Sequence, residues 1–327
     1  METAFAAARA RTSQAGILWW RLDNKGALKV ALEALDLLKP VLAAPNPALK
    51  VKLLEVQLMT GVGGLQFSVR EGGAKESLLK AMALAREINA LDLTNLPATD
   101  AYLIAQTSLA NTYYFLQRLP VEAMTTHNES VGLADKVLAF RPDHRPAMRA
   151  KIGAIAALST IDFDNLRVRA ALKQNLELHI LQSRLLALDP SNVAVSAYLG
   201  SIKRMTAHNL YNLGRVDEAI KWLEERAAMA GQSGIKMDAA SARRFAFGNA
   251  ELAGWYAEIG EPAKAQAALA EVRKYAAQAK TGVSESDFVA DSVAPLFEAK
   301  ILAIEGKYAE ARSRARQVIA DFDKAEK

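Results

Sequence analysis

The sequence predicts an all-α protein, a solenoid of about seven antiparallel helix hairpins stacked in chain order, and three observations carry that prediction. The first is the segment 185–230, LLALDPSNVAVSAYLGSIKRMTAHNLYNLGRVDEAIKWLEERAAMA, where an amphipathic helix ends at Leu188. Asp189-Pro190 breaks it, Ser191 or Asn192 caps a second helix, and Leu213-Gly214-Arg215 turns into a third. Proline lacks the N–H that would continue a helix, and Ser or Asn oxygens accept from the unpaired N–H groups of the next first turn. The second observation is a period: Gly214, Gly260 and Gly306 are evenly spaced (260 − 214 = 46 and 306 − 260 = 46), each followed five residues later by Ala219, Ala265 and Ala311. Small residues recurring in fixed slots mark hairpins that cannot bury their apolar faces alone and stack to do so. The third is composition. Hydrophobic residues make up 51% of the 327 but aromatics only 7%, so the core is expected to rest on close helix approach around alanine.

Taken in order, the hairpins are expected at 3–44, 48–91, 98–140, 144–188, 191–231, 237–280 and 284–323, in a single domain covering 1–327. The first carries Phe5, Ile17, Leu18 and Trp19 among alanines, turns over 23–26, repeats the five-residue spacing with Gly26 and Ala31, and ends before Pro45 and Pro47. In the second, a helix over 48–60 precedes one over 75–91, with Leu78, Leu79, Met82 and Ile88 at helical spacing. Between them GVGGLQFSVREGG, residues 61–73, sets five glycines around a short alternating run and reads as an extended or mobile insertion. The third hairpin places Ala123 in the small-residue slot and stops at Arg141-Pro142. The fourth turns near 162–165, where Asp162 and Asp164 read as helix caps.

Composition excludes several chemistries. The absence of cysteine removes disulfides, thiolate catalysis and cysteine-ligated metals. The formal charge of +5 is spread over helices of mixed sign, and basic clusters such as Arg312-Arg314-Arg316 lack interleaved aromatics, so they read as solvated faces and not as a nucleic-acid site. No run of about 18 apolar residues offers a membrane span, and Glu2, Arg9 and Arg11 interrupt any secretion-signal core, so the expected location is cytoplasmic. His127, His144, His179 and His208 are scattered without metal spacing, and no metal or other cofactor is expected. The run Gly72-Gly73-Ala74-Lys75-Glu76-Ser77 fails the phosphate-loop spacing, and kinase signatures are missing.

One run carries a family likeness. Leu252-Ala253-Gly254-Trp255-Tyr256, then Gly260 and Ala265, resembles the tetratricopeptide repeat pattern, and 186–190 resembles the end of such a repeat's second helix. The period of 46 exceeds the family's 34, which implies longer helices. In this the chain is similar to the long repeats that follow some bacterial serine/threonine kinases and signalling regulators. The resemblance implies a right-handed solenoid whose first helices line a concave groove. Alignment on Gly214 puts Arg204, His208, Tyr211 and Asn212 on that groove, and the other repeats add Trp20, Thr112, Phe115, Glu251 and Lys300. Arg204 with Asn212 would suit a peptide carboxylate or phosphate. The expected function is a non-catalytic scaffold or sensor arm in bacterial signalling that binds a peptide or protein partner. The alternatives are a small-ligand sensor or regulatory region of a larger signalling enzyme, or a self-associating protein, a homodimer docked through Trp19, Trp20 and the Phe67 segment.

Overall fold

The computed structural model describes residues 2–21, 23–88, 90–93, 95–232, 239–279 and 294–325, and for some of these, including Trp20, the backbone only. Fourteen α-helices and no strand are present among the described residues. They divide into two compact units, Met1–Leu166 and Arg167–Lys327. The first holds α1 (Glu2–Trp20), α2 (Asn24–Leu42), α3 (Leu49–Ser68), α4 (Ala74–Glu87), α5 (Leu96–Asn111), α6 (Pro120–Phe140) and α7 (Arg145–Asp164). The second holds α8 (Val168–Ala187), α9 (Val193–Asn212), α10 (Val216–Gln232), α11 (Ala239–Glu258), α12 (Pro262–Ala279), α13 (Ala294–Ile304) and α14 (Tyr308–Ala325). Helices pair with their chain neighbours within each unit, and the expected fourth pair contributes one helix to each.

The glycine period has a backbone cause. Gly214, Gly260 and Gly306 all adopt left-handed φ, at 75°, 80° and 77°. Each closes the helix before it with the same pair of bonds: Gly214 N donates to Tyr211 O at 2.9 Å and Arg215 N to Leu210 O at 2.9 Å, and the next two turns repeat this. Glycine takes that conformation without the steric penalty a Cβ brings. The first unit takes the same left-handed φ without glycine. Arg70, Arg118 and Leu166 stand 48 residues apart with φ of 55°, 57° and 61°, and Gly214 follows Leu166 by another 48. The alanine slot also continues, since Ala123 and Ala171, five residues after Arg118 and Leu166, are fully buried like Ala219 and Ala265.

One expected cap is present, and Asp23 supplies another. Asn192, not Ser191, caps α9 by accepting from Val195 N at 3.1 Å, while its own amide donates to Asp189 at 3.0 Å. Asp23 caps α2 through Gly26 N at 2.9 Å, so Gly26 lies inside the first turn of α2 and is not a counterpart of Gly214.

Two expectations are overturned. Residues 61–73 are not an insertion: α3 continues through Gly61, Gly63, Gly64 and Phe67 to Ser68, and only 69–73 turn. A Cβ on Gly63 would lie 2.5 Å from Leu78 Cγ and 3.2 Å from Ala74 O, so this glycine lets α3 and α4 approach. Nor do Asp162 and Asp164 cap a helix. Both lie within α7, Asp162 buried and Asp164 accepting from Tyr114 Oη.

Cores run along each stack. In the first unit one cluster joins Ala34, Leu38 and Leu54, the next joins Val56, Leu78 and Tyr102, and another joins Leu103, Val137 and Ala147. In the second, a continuous core joins Leu172, Leu210, Leu223, Trp255, Leu269 and Ile301.

Candidate polar and apolar faces of the two units

In the second unit the sequence-predicted residues Arg204, His208, Tyr211, Glu251 and Lys300 come together on α9, α11 and α13, the first helices of successive hairpins. Arg204 Nε donates to both carboxylate oxygens of Glu251, at 2.8 and 2.7 Å, and His208 Nε2 donates to Glu251 Oε1 at 3.1 Å. Burial of Glu251 pushes its carboxyl up, but the hydrogen bonds from His208 and Arg204 outweigh this and hold it below the usual carboxylate range. Two turns further along α11, Tyr211 Oη donates to Glu258, which also pairs with Lys300. The bond to Glu258, with burial and the carboxylate charge, pushes the Tyr211 phenol up. Burial likewise pushes Glu258 up, and the bonds from Lys300 and Tyr211 hold it lower than usual.

Aromatic rings brace this cluster. Tyr211 stacks on Trp255 with centroids 4.7 Å apart and planes 17° apart, and His208 meets the same ring edge-on at 5.3 Å. The Arg204 guanidinium lies 4.9 Å from the Phe247 centroid. Only its Nε is engaged by Glu251; its two terminal nitrogens have no hydrogen bond among the described residues. Asn212, the exposed last residue of α9, enters none of these bonds.

Phe247 and Glu258 escaped the sequence reading, and Trp255 entered it only as part of the repeat pattern. A signal existed: Arg204 and Tyr211 each meet a carboxylate 47 residues on, Glu251 and Glu258, one residue more than the period. A short-range packing feature was also missed. The guanidinium of buried Arg226 lies against Gly248, where a Cβ would fall 1.1 Å from Nη1.

Of the three residues predicted in the first unit, the two whose side chains are described do not form a polar cluster. The side chain of Trp20 lies outside the described residues. Thr112 is 1% exposed and its hydroxyl donates to Ser108 O at 3.0 Å, a common fate for threonine in a helix, so it belongs to the wall and not to the open face. It opens a wider π turn over Thr112–Leu116 that ends α5. Phe115 is 46% exposed and meets Phe67 edge-on at 6.3 Å and Tyr114 at 5.0 Å. Between α1, α3 and α5 lies a cavity of about 600 Å³, walled by Trp19, Leu58, Phe67 and Ile104 and edged by Gln57 and Asn111.

The four histidines sit in unlike surroundings. His127 is fully buried with neither ring nitrogen hydrogen-bonded, and burial pushes its pKa down to about 4. His144 pairs with Asp100 at 2.8 Å and His179 meets Trp222 edge-on at 4.9 Å. Among the described residues no group of three His, Asp or Glu side chains is placed to hold a metal. No helix among them is long and apolar enough to cross a membrane. In the basic run, Arg314 is bonded to Glu298 at 2.8 Å while Arg312 and Arg316 are exposed.

No family model and no curated protein sequence matches the chain. Among solved structures, the apo form of RapI superposes with a TM-score of 0.64 at 12% identity, covering 97% of this chain and 77% of RapI. A tetratricopeptide repeat protein from Parabacteroides merdae gives a TM-score of 0.43 at 15% identity over 98% of this chain and 93% of its own. Aspartyl phosphate phosphatase F from Bacillus subtilis gives 0.44 at 13% identity, over 98% and 93%. At such identities the likeness is one of fold, and in fold this chain is an all-α solenoid similar to the tetratricopeptide-like repeat proteins.

Proposed function

We propose that this chain is a non-catalytic, cytoplasmic interaction scaffold of bacterial signalling, and that the face formed by α9, α11 and α13 binds an extended peptide of its protein partner. The observation that supports it is Arg204: its Nε is fixed by Glu251 and its plane lies against Phe247, while its terminal nitrogens are left to meet another acceptor. A guanidinium held at one edge presents its remaining donors in a fixed direction, which suits a carboxylate or a run of backbone carbonyls and lowers the ordering entropy of binding. Tyr211 stacked on Trp255 supplies a rigid aromatic surface one to two turns away, the kind of anchor that interfaces favour.

The test is selection of a displayed peptide library on the wild-type chain and on an Arg204→Lys, Asn212→Ala variant. Lysine keeps the charge beside Glu251, so the fold is retained, but it removes the fork of donors. Peptides enriched on the wild type and lost on the variant would support the reading. Enrichment of the same peptides on both would refute it.

A further inference from the structure

We propose that the cavity between α1, α3 and α5 is a binding site for a neutral, mainly apolar small molecule, distinct in location and chemistry from the polar face of the second unit. Its volume of about 600 Å³ lies within the range of small-molecule sites. The sharper observation is how the space is made. Gly16 on α1 and Gly61 and Gly64 on α3 line it, and at each an added Cβ would meet nothing within 4 Å.

Glycine inside a helix is unfavourable because it leaves the unfolded backbone more freedom than any other residue. Gly63, on the same helix, has a packing reason, since Leu78 occupies the space a Cβ would need. Gly16, Gly61 and Gly64 have none. What their missing side chains preserve is the empty volume itself.

The lining also defines the occupant. Trp19, Leu58, Phe67 and Ile104 form its apolar wall, and Trp19 and Ile104 remain 50% and 54% exposed. No charged side chain lines the cavity among the described residues, in a chain where 24% of residues are charged. A charged ligand would lose its hydration there without gaining a partner, so the site selects against charge. Gln57 and Asn111 offer amide groups with no hydrogen bond among the described residues, enough to orient one or two polar atoms of an otherwise apolar molecule. Phe67 and Trp19, expected to dock a second copy, line this cavity.

The experiment is a fluorescence titration of the full chain with the neutral probe N-phenylnaphthylamine and with anilinonaphthalene sulfonate, which keeps the same rings and adds a negative charge. The expected result is saturable binding of one neutral probe per chain, with the sulfonated analogue weaker by about tenfold or more. Gly61→Leu with Gly64→Leu fills the cavity and should abolish binding while circular dichroism stays helical. The milder Gly61→Ala, Gly64→Ala chain keeps the result interpretable if the leucine variant fails to fold, and should weaken binding by several-fold. Gly132→Leu on α6, another glycine whose Cβ meets nothing but which lies outside the cavity, should leave binding unchanged. The proposal is overturned if the neutral probe fails to saturate, if the sulfonated probe binds equally, or if the alanine variant binds like wild type. It is also overturned if sedimentation shows a dimer that the cavity-filling variants dissociate, since a second copy would then own the space. Arg204 is untouched throughout, so failure here and failure of the peptide reading are separate results.

Discussion

His127 makes the stability of the first unit depend on pH in a calculable way. Its imidazole is fully buried in α6, both nitrogens lack hydrogen bonds, and burial alone sets its pKa near 4. In the unfolded chain a histidine titrates near 6.5. Between those values the unfolded state binds a proton that the folded state refuses, so stability rises with pH through this window. The contribution is complete above pH 6.5 and is lost as pH falls through 4. The difference between the two pKa values corresponds to about 3 kcal/mol in total, of which about 2 kcal/mol is lost between pH 7 and pH 5. Other groups titrate as well, so the quantity to measure is the gap between the wild type and His127→Leu, a substitution of similar volume that removes the proton site. Urea unfolding of both chains at pH 7, 6 and 5 should show the leucine variant gaining about 2 kcal/mol on the wild type over that range. NMR of the ring protons should find one histidine still neutral at pH 5. A constant gap, or a His127 that titrates above pH 6, would refute the reasoning.

Other substitutions test the packing. Ala265→Leu, at a fully buried helix crossing, should lose about 1–3 kcal/mol through overpacking, measured by urea unfolding. On one helix, Gly61→Ala should gain about 1 kcal/mol from helix propensity, whereas Gly63→Ala should lose stability because its methyl meets Leu78 and the Ala74 carbonyl; opposite signs in thermal melts are the expected outcome. Leu166→Gly, at an 87% exposed left-handed position, should raise stability by about 0.5–1 kcal/mol, the relief of the Cβ exceeding glycine's added chain entropy. Arg204→Met should destabilise the second unit by about 2–3 kcal/mol by leaving the Glu251 carboxylate short of a partner, and Glu251→Gln made in that background should recover part of the loss.

Hairpin boundaries were legible wherever glycine or proline forced the backbone. The three left-handed glycines gave the period of the second unit directly. The repeat of the first unit stayed hidden because Arg70, Arg118 and Leu166 occupy the same backbone conformation, which their side chains do not announce. Residues 61–73 misled for the converse reason: glycine usually signals a turn, but Gly63 serves a close helix contact and Gly61 and Gly64 leave space. At the candidate polar face, position along the repeat located Arg204, Tyr211, Glu251 and Lys300, but not their pairing. Which charges neutralise each other depends on side-chain reach between helices, and a one-dimensional alignment carries no such distance.

The way each core segment draws on helices that are adjacent or next but one in the chain has a kinetic consequence. Little loop entropy has to be spent before a contact forms, so low contact order favours fast folding that can start at more than one hairpin. The same locality confines most of a hairpin's contacts to the hairpins beside it in the chain. Opening one hairpin therefore strips contacts chiefly from its chain neighbours, and amide hydrogen exchange should differ from hairpin to hairpin and not fall as a single step.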